Sequence, residues 1–63
     1  MKTKYDVKPG DTVHINWMEG EPQYADREGV VHGIDSINQI HGSWGGLALT
    51  FDDDWEIIKS ADK

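Results

Sequence analysis

The stretch Thr12-Val13-His14-Ile15-Asn16-Trp17 alternates strictly between polar and apolar residues, and this period of two constrains the chain more than any other feature. Successive side chains of a strand point to opposite faces. Val13, Ile15 and Trp17 therefore share one face, and Thr12, His14 and Asn16 share the other. The pattern recurs downstream. Ile40, Gly42 and Trp44 alternate with Gln39, His41 and Ser43, and Leu47, Leu49 and Phe51 alternate with Ala48 and Thr50. Gly29-Val30-Val31-His32-Gly33-Ile34 places apolar residues on both faces, as a central, bent strand would, with Gly33 permitting the bend. Trp55-Glu56-Ile57-Ile58 reads as a short last strand. Turn chemistry separates these runs at Pro9-Gly10-Asp11, Asp35-Ser36-Ile37-Asn38, Gly45-Gly46 and Asp52-Asp53-Asp54.

No window sustains a 3.6-residue period, so the fold class is all-β. Five short antiparallel strands at intervals of about ten residues predict a small barrel or sandwich. At 63 residues a barrel is favoured, because closure removes sheet edges that would otherwise stay open. A long first loop, then tight turns, then a short final strand is the order of an SH3-like barrel, whose last strand returns beside the first. The expected organisation is one domain over residues 1–63, with flexible segments at 1–8 and 60–63. The chain has no cysteine, so stability rests on a compact apolar core or on a partner.

The chain resembles a family of small bacterial and phage domains, domain of unknown function 4314. The residues that carry the likeness are Pro9-Gly10-Asp11, Met18, Gly29 to Val31 and Asp35. They continue with Gln39-Ile40-His41, Trp44, Leu47-Ala48-Leu49 and Asp54-Trp55-Glu56-Ile57. The likeness thus runs from Pro9 to Ile57, carried by order and spacing. Gly42 stands where the family tends to have a β-branched residue, and the turn at Gly45-Gly46 is shorter than expected. The resemblance implies a bacterial, phage or mobile-element setting and implies no activity.

Twelve acidic residues against six basic ones give a formal charge of −6. Between Asp11 and Glu56, Arg27 is the one basic residue. Phosphate contacts need clustered Lys and Arg, so direct nucleic-acid binding is not expected. An acidic surface suits solubility, a basic protein partner, or mimicry of a nucleic-acid backbone. Neither a signal peptide nor an apolar run of bilayer length is visible, so the expected setting is cytoplasmic without a membrane.

Residues 19–28 form a polar connection longer than an ordinary hairpin loop, and long loops are often functional. An acidic loop beside an exposed aromatic is one way a small barrel takes a basic peptide. The expected binding residues are therefore Trp17, Glu19, Glu21, Tyr24, Asp26 and Glu28. Of the three tryptophans, one or two belong in the core. His14, His32 and His41 lack tight metal-ligand spacing, and the consecutive Asp52–Asp54 side chains point apart, so no metal or cofactor is expected. Catalysis finds no support. Cysteine is absent, and Ser36, Ser43 and Ser60 lack a nucleophile elbow. His41 and Ser43, two apart on a strand, lie about 7 Å from each other, too far to bond. The expected function is a small protein-interaction module. The alternative is a nucleic-acid-related accessory protein, or an acidic DNA mimic that inhibits a basic host protein. SH3-like barrels that bind nucleic acid lead into a strand through a turn much like Gly29-Val30-Val31.

Overall fold

A computed structural model describes residues 3–61. The chain is all-β, with four antiparallel strands curled into a half-barrel: β1 (Thr12–Trp17), β2 (Arg27–Ile34), β3 (Ile40–Gly42) and β4 (Asp54–Lys59). The sheet order is β3-β2-β1-β4, so the last strand returns beside the first. This architecture is compatible with a small SH3-like barrel. Short 3-10 turns at Lys4–Asp6 and Pro22–Tyr24 precede β1 and β2.

The concave side of the sheet holds the core. Val13, Ile15, Val31, Ile40 and Leu49 are essentially sealed from solvent, and Val7, Met18, Trp44 and Trp55 complete the cluster. Two of the three tryptophans are core residues, as their area predicts. β2 is central and bent, with a register shift between Val31 and Gly33. Alternation along β2 buries Val31 on the core side and leaves Val30 and Ile34, on the opposite face, partly exposed.

The strand expected over Leu47–Phe51 is reduced to one bridge, Leu49 with Ile40. The two residues exchange both backbone bonds, at 2.7 and 2.8 Å. The neighbouring backbone groups are claimed elsewhere. The Trp44 indole N–H donates to the Leu47 carbonyl at 2.8 Å, and the Trp55 indole N–H donates to the Thr50 carbonyl at 2.8 Å. The Thr50 N–H donates to the Asp53 carboxylate at 3.0 Å. A segment whose polar groups are taken by side chains cannot extend a ladder.

Two further differences follow from Trp44. Its strand ends at Gly42, and the indole folds back over that glycine. A Cβ at Gly42 would collide with the Trp44 ring and lie 2.6 Å from the Val30 carbonyl oxygen, so only glycine fits. Ser43 is exposed, as expected, and its Oγ accepts the Val30 N–H at 2.9 Å. Gly45-Gly46 is part of a wider loop, not a tight hairpin. A Cβ at Gly45 would meet the Tyr24 ring at 2.7 Å.

The segment expected to fray at 1–8 is tied down where it is described. Thr3 and Asp6 form a reciprocal capping box around the first 3-10 turn, and Val7 is buried. The Lys4 ammonium lies 4.9 Å from the centre of the Trp55 ring and donates to the Asp53 carbonyl at 2.6 Å. Of the expected flexible ends, residues 1–2 and 62–63 lie outside the described residues. Asp11, buried completely, joins the two ends of the chain. Its carboxylate accepts the Lys8 N–H at 3.0 Å and the Ala61 N–H at 2.7 Å. Among the described residues no helix is long and apolar enough to cross a membrane.

Candidate functional site

The convex face of the sheet is built by the polar half of the alternation. β1 contributes His14 and Asn16, and pairing sets their neighbours. His14 stands opposite Glu28 of β2 on one side and Glu56 of β4 on the other. Opposed residues in an antiparallel ladder point the same way, so three side chains with two carboxylates line up across the sheet.

Trp17 joins this face through a bulge. Alternation assigns it to the core with Val13 and Ile15, but the structure leaves it 46% exposed. Between Ile15 and Trp17 the register with β4 slips: Ile15 pairs with Trp55, and Trp17 pairs with the adjacent Asp54. The extra residue turns Trp17 to the side that Asp54 occupies, and Met18 takes the buried position instead. Asp54 accepts a bond from the Asn16 amide at 3.1 Å, which fixes its carboxylate beside the indole.

Asp26 and Glu28 close on His14. The imidazole Nδ1 lies 3.1 Å from Glu28 Oε2, and Nε2 lies 3.4 Å from Asp26 Oδ1. Asp26 is held in the left-handed region at φ 63°, and its N–H donates to the Ile15 carbonyl at 2.7 Å, which anchors the turn to β1. The bond to Glu28 raises the His14 pKa above its ordinary value; the bond to Asp26 adds to it, against partial desolvation.

The expected binding residues therefore divide. Trp17, Asp26 and Glu28 share the convex face, Trp17 beside Asp54 of β4 and the two carboxylates against His14. Glu19 is exposed in the turn after β1. Glu21 is half-buried and bonds to the Gln23 side chain. Tyr24 is half-buried against the core, with the Arg27 guanidinium 4.6 Å above its ring centre. Arg27 also donates to the Trp44 carbonyl at 2.9 Å, so Tyr24 and Arg27 close the loop onto the body of the domain. The aromatic member of the face is thus Trp17, and Tyr24 is a packing residue.

Sequence reasoning placed His14 and Asn16 on the polar face but did not connect them, Asp54 or Glu56 with Asp26 and with Glu28, which the structure puts in β2 and not in the loop. Only strand register brings these together, and a single sequence does not state register.

Asp35, His41 and Asp53 have structural partners. Asp35 Oδ1 accepts the Ile37 and Gln39 N–H groups at 3.0 and 2.9 Å, and Oδ2 meets His41 Nε2 at 3.0 Å. His41 first, then the Gln39 N–H, holds the Asp35 carboxyl below its ordinary value. Asp53 serves the Thr50 turn and Asp54 bonds Asn16, so the acidic run diverges. Among the described residues, no three His, Asp or Glu side chains gather in a metal-holding group, and no cavity opens.

The class these features define is a small all-β half-barrel with an acidic, aromatic-bearing convex sheet face. No family model, curated protein or solved structure matches the chain.

Proposed function

We propose that the chain is a non-catalytic protein-interaction module whose convex sheet face takes a basic segment of a partner protein. The observation that supports this most is Trp17. A bulge carries a large indole out of the core and sets it beside Asp54, on a face that also presents Asp26, Glu28 and Glu56. Exposed tryptophan is a frequent anchor of protein interfaces, and it attracts Arg and Lys through its ring face. The surrounding carboxylates complement the same cations and steer their approach. Lys59, opposite Thr12 at the far end of β1, is the basic residue of this face among the described residues. A bacterial or phage setting rests on the family resemblance alone.

Fluorescence anisotropy with a labelled hexa-arginine peptide at about 150 mM salt tests this reading. Two variants remove the same charge from different places. Glu56→Gln takes it from the convex face, and Asp52→Asn takes it from the exposed turn before β4. The proposal predicts that Glu56→Gln and Trp17→Ala weaken binding several-fold while Asp52→Asn leaves it near wild type. Equal weakening by Glu56→Gln and Asp52→Asn would mean that net charge alone attracts the peptide, and would refute the face. The mimic reading predicts instead a basic protein that DNA displaces competitively, with no dependence on Trp17.

A further inference from the structure

His14 sits at the centre of the convex face, and its surroundings distinguish its two protonation states. Both ring nitrogens face carboxylates, Nδ1 toward Glu28 at 3.1 Å and Nε2 toward Asp26 at 3.4 Å. Only the doubly protonated imidazolium can donate to both. The neutral ring has one N–H, so one carboxylate then faces a lone pair. β4 adds Glu56 directly across the strand, with Asp54 beyond it and Lys59 at the other end of the ladder. Arg27, the neighbouring base on β2, is turned to Tyr24. The charged groups nearest the imidazole are thus all carboxylates, and the protonated ring is a cation this face supplies to itself.

We propose that docking at the convex face is proton-linked through His14: a cationic partner and the imidazolium compete for Asp26 and Glu28, so binding expels the His14 proton. This inference rests on the docking reading above and adds its regulation. The stoichiometry is simple. One proton leaves the imidazole for solvent as one guanidinium or ammonium takes its place between the carboxylates. By linkage, the partner then binds more tightly as pH rises through the His14 midpoint, and the bound partner lowers that midpoint. The raised His14 pKa is consistent with this, since the same carboxylates that would hold the partner already hold the proton.

The experiment uses the full chain and acetylated hexa-arginine amide. The His14 midpoint is read from its imidazole Cε1–H resonance, free and at saturating peptide, and affinity is measured by calorimetry across pH 5.5 to 8.5. The expected result is a lower His14 midpoint in the complex, with affinity rising about tenfold for each unit by which the midpoint falls. The His41 ring, bonded to Asp35 on the far hairpin, serves as internal control: its Cε1–H resonance should not move when peptide is added at fixed pH. The variant His14→Asn should bind at every pH with affinity independent of pH over this range. Peptide that binds wild type while leaving the His14 midpoint unmoved would overturn the linkage and spare the docking face. Failure to bind at any pH would overturn both.

Discussion

Replacing Asp11 with alanine should cost this domain a large share of its stability. The carboxylate is fully buried and accepts two backbone N–H groups, from Lys8 before β1 and from Ala61 after β4. Bonds to a charged acceptor contribute about 1.5–3 kcal/mol each, giving about 3–6 kcal/mol if both donors were left dry. Lys8 and Ala61 are exposed residues, so water can reach their N–H groups once the carboxylate is gone, and the lower end of that range, about 3 kcal/mol, is the expected loss. The backbone bonds of Asp11, its N–H to the Lys8 carbonyl and its carbonyl from the Val31 N–H, survive the substitution. A chain of this length has a total stability of about 3–9 kcal/mol, so the variant sits near its folding limit. The melting temperature should fall by about 12–24 °C, at about 4–8 °C per kcal/mol for so small a domain. Asp11→Asn keeps one carbonyl acceptor and should lose about half as much. Thermal unfolding followed by near-ultraviolet circular dichroism measures both. A drop below about 4 °C in Asp11→Ala would refute the view that this carboxylate ties the chain ends.

Other consequences follow from individual contacts. Gly42→Val forces a side chain into the Trp44 ring and should destabilise by about 1–3 kcal/mol, read as a lower urea midpoint with red-shifted tryptophan emission. The pKa of His14 is raised in the folded state, so its contribution is fully present below the unfolded value of 6.5 and lost as pH rises through the folded one. Melting temperature should therefore decline across that window in wild type, and decline less in His14→Gln. Asp35 has the opposite sign. Its lowered pKa gives a contribution present above 3.8 and lost as pH falls through the folded value, so Asp35→Asn should flatten the acid limb of the stability profile.

The fold was legible because its strands obey short-range rules. Alternation over Thr12–Trp17 and the turn residues at Pro9-Gly10 and Asp35–Asn38 placed β1, β2 and their connections without a partner in view. The segment after Trp44 was misjudged for a reason alternation cannot express. Leu47, Leu49 and Phe51 have a strand's period, but two indole N–H groups and the Asp53 carboxylate take the backbone groups a ladder would use. Trp17 failed in the same way, since a single slipped residue moves a side chain to the other face. The site was half legible. Charge and loop length pointed to Trp17, Asp26 and Glu28, while Tyr24 was drawn inward by packing. His14 and Glu56 entered only once the register of β1 with β2 and β4 was known.

We propose that the convex face, and not the loop that feeds it, is where a basic partner docks. Mapping backbone and indole amide shifts during titration with hexa-arginine tests it directly. The largest changes should fall on His14, Asn16, the Trp17 indole, Glu28 and Glu56, with the Trp44 and Trp55 indoles unmoved. Changes centred instead on Glu19 to Ala25, or spread evenly over the acidic surface, would contradict it.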